Sequence, residues 1–447
     1  MKKLIIIFLL GVYSAPIQAQ KSTYTLSLAQ AISLAKDSSY ASVNARRDMT
    51  RALKKKWETT ATGLPQINGS LNYNNNIKQP VTLIPGEITG GAPGSFTPVV
   101  FGTEQNASAQ ATLEQLIFDG SYLVGLQAAK TFLDFSKNAY EKTQIEVEKS
   151  VVNAYGSALM ADALVLVFQN NYKTLQKSYK ELHIVYDNGL AELEALEQLE
   201  ITLLEVKGYL DNALRSQSLA YHMLRATLGV PLETDLNLSD DLNTLVLRAA
   251  QEVDPSFSID LDDYIDVRIA ENYSEQRRLE WQLERSRALP SLSAFANYST
   301  QAFSNEFTFT DNTQKWFQSS ILGVRMQVPL FSSGFRSARS SQAKIAWDQA
   351  KTEFEQTKQA TEIAFENALS EFNLSKDNYN NATRSLNLAE RVANKNQIKF
   401  DQGIGSSFDL YQAQAQFYRA QQNYYNSFLA LLNAKTVLET FINLPTN

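Results

Sequence analysis

Phe400-Asp401-Gln402-Gly403-Ile404-Gly405-Ser406 reads as a tight turn, and an unbroken heptad follows it. Leu410, Phe417, Tyr424, Leu431 and Leu438 stand seven apart, with Ala413, Ala420, Ser427, Ala434 and Phe441 in the alternate positions. That spacing is the seam of a coiled coil. One row is large and the other mostly small, which allows close approach to a neighbouring helix and favours left-handed winding. The same device occurs earlier: Tyr186-Asp187-Asn188-Gly189-Leu190 leads into Leu196, Leu203, Leu210 and Leu224, with Leu199, Val206, Ala213 and Ala220 interleaved. The offset is 214 residues both from Gly189 to Gly403 and from Leu224 to Leu438, so the chain contains a long internal repeat. Leu64-Pro65 answers Leu289-Pro290 and Ile117-Phe118 answers Leu330-Phe331, while Gln217 interrupts the first seam once.

Ahead of each turn lies a proline-free stretch, from Gly120 to Asp187 and from Gly334 to Asp401. Each is long enough for a helix of roughly 100 Å, far beyond a globular helix. The second carries its own heptad, with Phe372, Tyr379, Leu386, Ala393 and Phe400 alternating with Ala368, Ser375, Ala382 and Ala389. Each long helix is expected to turn at Gly189 or Gly403 and return as a shorter one ending near Pro231 or Pro445, which puts both turns far from the strands. Thr25 to about Thr62 also reads as helix, with Arg51, Lys54, Lys55 and Lys56 on a solvated face.

Elsewhere the period changes to two. Ile67, Gly69, Leu71 and Tyr73 alternate with polar residues after Leu64-Pro65, and Ala107, Ala109, Ala111, Leu113 and Ile117 alternate before Phe118. The proline- and glycine-rich stretch from Ile77 to Gln105 is expected to be a long loop joining these strands into a hairpin over about 65–118. A second hairpin, about 290–331, comes from Leu292, Ala294, Ala296 and Tyr298 and from Leu322, Val324, Met326 and Val328, joined by a shorter loop. Strands of about ten residues with one apolar face have the length of membrane β-barrel strands. Four strands cannot close a barrel, because open edges are not tolerated in lipid and closure needs about eight, so several chains must contribute.

Composition narrows the class. The 447 residues are 44% hydrophobic, with few glycines and prolines, which suits long helices better than a compact α/β enzyme. The net charge of −6 disfavours nucleic acid as a partner. Lys2 and Lys3, the apolar run Leu4–Leu10 and Ala15-Pro16-Ile17-Gln18-Ala19 have the order of a secretory signal cut after Ala19, leaving a mature chain of charge −8. No other apolar run reads as long enough for a membrane helix, so membrane insertion is expected to come from strands. The absence of cysteine excludes disulfides, thiolate metal sites and a lipid-bearing cysteine. Only His183 and His222 are available for acid–base chemistry, and no metalloprotease, phosphate-loop or nucleophile-elbow motif occurs, so no catalytic residue, metal site or cofactor is assigned. An exported periplasmic adaptor or other coiled-coil structural protein is the alternative class, though it would not need four amphipathic strands at duplicated positions.

In this order the marks resemble the TolC-type outer-membrane efflux family over nearly the whole mature chain. They are the Leu64-Pro65 and Leu289-Pro290 strand starts, Phe118-Asp119-Gly120 and Pro329-Leu330-Phe331-Ser332-Ser333-Gly334, Phe400-Asp401-Gln402-Gly403 with Asp409-Leu410-Tyr411-Gln412-Ala413-Gln414, and Leu224-Arg225-Ala226-Thr227-Leu228-Gly229. The resemblance implies a mainly α fold with a small β part. Long coiled-coil-like helices would form a trimeric α-barrel, and four strands per chain would contribute to a twelve-stranded transmembrane β-barrel. It divides the chain into a signal peptide, 1–19, and one unit, 20–447, of two repeats at about 24–231 and 258–445, with an acidic equatorial connector at about 232–266. It implies a homotrimer in the lipid of a Gram-negative outer membrane, reaching into the periplasm and working with a periplasmic adaptor (membrane fusion) protein and an inner-membrane pump. The cargo would be small molecules or proteins. Asp409 matches an inward-pointing aspartate of the pore constriction, and Gln412 stands where some relatives have a second; Ser406 with Asp409 equally fits a helix cap. The tip turns Gly189, Leu190, Gly403, Ile404, Gly405 and Ser406 are the expected adaptor contacts. Phe400 and Gly405 occupy positions where relatives carry a latch tyrosine and arginine.

Overall fold

The computed structural model describes residues 23–242, 244–245 and 260–442. The expected leader and much of the acidic connector lie outside these residues. In chain order the described elements are β1 (Thr23–Leu26), α1 (Leu28–Ser38), α2 (Tyr40–Ala61), β2 (Gln66–Asn75), β3 (Val81–Pro85), β4 (Phe96–Val100), β5 (Gln105–Asp119), α3 (Gly120–Asp187), α4 (Leu193–Leu228), β6 (Asp235–Leu238), α5 (Ile265–Ser286), β7 (Ser291–Ser304), β8 (Phe317–Gln327), α6 (Phe335–Asp401) and α7 (Ser407–Ile442). The described residues form two compact units, one drawn from those up to 45, between 141 and 260 and beyond 361, the other from 46–140 and 261–361, with α3 and α6 contributing to both.

In the first unit the heptads are the core. Leu175 of α3, Leu199 and Val206 of α4 and Tyr418 of α7 make one buried cluster, against which Leu203 and Phe417 pack. Phe428, Leu431 and Leu438 of α7 and Leu224 of α4 are fully buried. Gln217, the interruption in the first seam, is accounted for: its Nε2 donates to Oδ1 of Asp162 at 2.7 Å, and the Tyr221 hydroxyl donates to the other oxygen at 2.7 Å. One 18-residue window of α3 is apolar enough by composition to cross a membrane, which corrects the expectation that no such run exists. More than half of that window is buried within the fold, as a core helix would be.

The helix expected from Thr25 to Thr62 is instead two. Ser27 starts α1 with a capping box, its Oγ accepting from Gln30 N and its own N–H donating to Gln30 Oε1. The break falls at Ser39, whose ψ of 144° is extended. The end of α4 presses there: the Ser38 hydroxyl donates to Leu228 O at 2.6 Å, and a Cβ on Gly229 would meet Ser38 O at 2.3 Å. The preceding strand β1 pairs in parallel with β6, a pairing that no local pattern announces.

The second unit holds a four-stranded antiparallel sheet of order β2-β5-β7-β8, so the two expected hairpins join through β5 and β7. The stretch read as an irregular loop contains a further hairpin, β3 with β4. Its prolines, Pro85 and Pro98, are tolerated because each strand of a two-stranded ribbon has an open side that needs no ladder donor. Helix α5 packs on α6 through Trp281 and Trp347, stacked at 5.3 Å and 18°. Arg285 lies 5.0 Å over the Trp281 ring and Lys351 Nζ 3.5 Å over that of Trp347.

Candidate functional site

Two surfaces carry the expected function, the sheet and the helix turns. In an antiparallel ladder directly opposed residues share a face. Ile67, Leu113, Ala296 and Leu322 therefore form one row across all four strands, and Leu292 with Met326 and Ala294 with Val324 continue it. The opposite face is mainly polar, with Ser70, Gln110, Ser299 and Ser319 in one row and Asn68, Thr112 and Asn297 with Ile321 in another, where Asn297 Nδ2 donates to Thr112 Oγ1 at 2.9 Å. The apolar face is bare: Ile67 is 76% exposed, Leu71 84% and Leu322 84%. A single chain thus leaves the wrong surface in water, and β2 and β8 each present an unpaired edge.

The two turns are built alike. Gly189 N donates to Tyr186 O and Leu190 N to Val185 O, while Gly403 N donates to Phe400 O and Ile404 N to Lys399 O. This pair of bonds closes a helix end around a residue in the left-handed region, and the two glycines have φ of +73° and +72°. Nothing lies within 4 Å of a Cβ built on either, so backbone conformation is what requires glycine there. Leu190 and Ile404, the residues that follow, are 80% and 73% exposed. After the second turn the Ser406 hydroxyl accepts from Asp409 N at 3.1 Å and donates to Asp409 Oδ2 at 2.8 Å, so Asp409 serves the start of α7 from an exposed position. Gln412 is exposed as well. Arg51, Lys54, Lys55 and Lys56 are exposed, with Lys55 paired to Glu58 at 2.8 Å. His183 is exposed and bonded through Nδ1 to Asp187 at 3.0 Å.

Inside the helical unit lie polar groups that the sequence reading did not single out. Tyr155, fully buried, donates to Leu26 O at 2.9 Å, and burial beside Asp240 holds its hydroxyl well above the usual tyrosine range. Asn171 of α3 donates to Gln421 of α7 at 3.0 Å. Gln198 and Gln414, on α4 and α7, line a shared cavity of about 10 Å³. The only signal for these was a polar residue beside a seam position, which exposed helix faces supply in abundance.

The family model for outer membrane efflux proteins matches residues 261–444, which span α5, the second hairpin, α6 and α7. The match takes in less than half of the chain, and it makes that segment similar to outer membrane efflux proteins. The fold agrees with solved structures over more than nine-tenths of the chain. A membrane protein of Pseudomonas aeruginosa aligns with a TM-score of 0.71 at 15% identity, covering 93% of this chain and 90% of that one. The outer membrane protein VceC of Vibrio cholerae aligns at 0.67 and 15%, covering 92% and 95%. The MtrE outer membrane channel of Neisseria gonorrhoeae, in its open state, aligns at 0.66 and 16%, covering 93% and 88%. No curated protein matches the sequence.

Proposed function

We propose that three copies of this chain close a twelve-stranded barrel in the outer membrane, with β2 of one copy pairing with β8 of the next, and that their long helices enclose a conduit across the periplasm. The observation that carries this reading is the sheet: an exposed apolar row backed by a polar face, with two open edges. Lipid covers the first, water the second and neighbouring copies the third. Helices α3 and α6, of 68 and 67 residues, have the length such a conduit needs, about 100 Å each. The arrangement comprises a leader at 1–19, two repeats at about 24–231 and 258–445, and a belt near 232–266.

In this reading the chain performs no chemistry and binds no cofactor. A periplasmic adaptor engages the turns at Gly189-Leu190 and Gly403-Ile404-Gly405-Ser406, an inner-membrane pump supplies the energy, and the cargo is small molecules or proteins. Asp409 forms a ring of carboxylates at the constriction, where three charges about a narrow axis attract cations, and Gln412 lies next to it. Planar-bilayer recordings of the purified protein test both levels. Wild type is expected to conduct with cation preference, and Asp409→Ala to lose part of that preference. Silent wild type removes the conduit, whereas unchanged preference in the variant removes only Asp409.

A further inference from the structure

Gln198 and Gln414, each with a buried amide oxygen, line one small space between the repeats. Gln414, 8% exposed on α7, donates through Nε2 to Gln397 Oε1 at 3.2 Å, and Gln397 Nε2 donates in turn to Asp401 Oδ1 at 2.9 Å. On α4, Gln198 Nε2 donates to Glu194 Oε1 at 3.3 Å. Each chain of amides ends on a carboxylate, which only accepts, so its direction is fixed and the group left at the inner end is an oxygen. Both remaining oxygens, Gln198 Oε1 and Gln414 Oε1, are buried without a protein donor. Both residues line the cavity of about 10 Å³, together with Thr202, whose hydroxyl donates to Gln198 O at 3.0 Å and keeps its acceptor capacity. The remaining wall comprises Ala195, Leu199, Phe400 and Leu410 with the hydroxyl-bearing Ser407 and Tyr411.

We infer that this cavity is a site for one buried water that donates a hydrogen to each amide oxygen and so clips α4 to α7. The space suits a single water, two to four polar partners are what a buried water requires, and two amide oxygens without a protein donor call for a ligand that donates. A bare cation fits worse, because the lining carries no carboxylate to offset the cost of burying its charge. Phe400 walls the cavity without a polar group, so at this cavity the polar link between α4 and α7 passes through the two glutamines. That the clip restrains opening of the tip rests on the conduit reading; the water site does not.

The test is a structure of the full-length protein at a resolution that shows ordered water, from crystals grown in rubidium chloride, together with a thermal-unfolding cycle of Gln198→Met, Gln414→Met and the double variant. One solvent peak within hydrogen-bond distance of both oxygens, without anomalous signal, is expected. The double variant should lose less than the sum of the singles, since the first substitution already breaks the bridge. No peak, a rubidium signal, or additive losses overturn the site. If the variants fail to assemble, the wild-type density decides alone. In bilayers Gln414→Met should show a higher open fraction, and no change overturns the restraint while leaving the water in place. Silent wild-type recordings count against the conduit and not against the density.

Discussion

Gln217 on α4 and Asp162 on α3 share a hydrogen bond of 2.7 Å at the one place where the first heptad breaks. The polar residue in the seam belongs to a triad with Tyr221, in which both carboxylate oxygens are served. Restoring the apolar pattern is therefore expected to harm the fold. Gln217→Leu should lower stability by about 1–3 kcal/mol, because it removes a donor from a partly buried carboxylate. Chemical denaturation of the single variant and of Gln217→Leu with Asp162→Leu checks this, the double being the more stable of the two.

Burial holds the hydroxyls of Tyr155, Tyr221, Tyr418 and Tyr424 well above their ordinary value of 10.0, with Asp240, Asp162 and Tyr379 adding to the rise at Tyr155, Tyr221 and Tyr424. A raised folded-state value contributes stability that is fully present below the unfolded value and is lost as pH climbs towards the folded one. Melting temperature is expected to hold up to about pH 10 and to fall beyond it. Tyr221→Phe should make that alkaline decline shallower, measured by thermal melts between pH 9 and 11.

At the turns, Gly403→Ala forces a side chain into the left-handed region and should cost about 1 kcal/mol, with a smaller loss for Gly403→Asn. Gly189→Ala is expected to match it, because the backbone geometry is the same and neither site has a neighbour to clash with. Hydrogen exchange at Leu190 and Ile404 amides, which close the turns, reports the loosening locally.

Charge and capping at Asp409 are separable. Asp409→Asn keeps an acceptor for the Ser406 hydroxyl and should leave stability nearly unchanged while weakening cation preference in bilayer recordings. Ser406→Ala does the reverse, removing the cap at about 1 kcal/mol with selectivity retained.

The two faces of the sheet should respond oppositely to charge. Leu322→Arg or Leu71→Arg places a cation on the apolar face, which the proposed barrel turns to lipid, and is expected to cost about 2–4 kcal/mol near mid-membrane, seen as loss of folded oligomer in the outer-membrane fraction. Ser299→Arg on the polar face should still assemble and alter conductance instead.

The sequence by itself determined the periodic parts: the long helices, the return helices, the tip glycines and the alternation of the four principal strands. Each of these is a local pattern whose register decides which side chains are hidden, so 3.6- and 2-residue periods suffice to read it. Tertiary structure decided what depends on partners distant in the chain. The break at Ser39 answers to Gly229, β1 finds β6, Gln217 is justified only by Asp162, and β5 joins β7. Gln198 and Gln412 are equivalent by the 214-residue repeat, yet the oxygen of one is buried against the opposite helix while the other residue is exposed. A repeat fixes position along a helix, whereas burial depends on what packs across it, and that is set only when the two repeats meet.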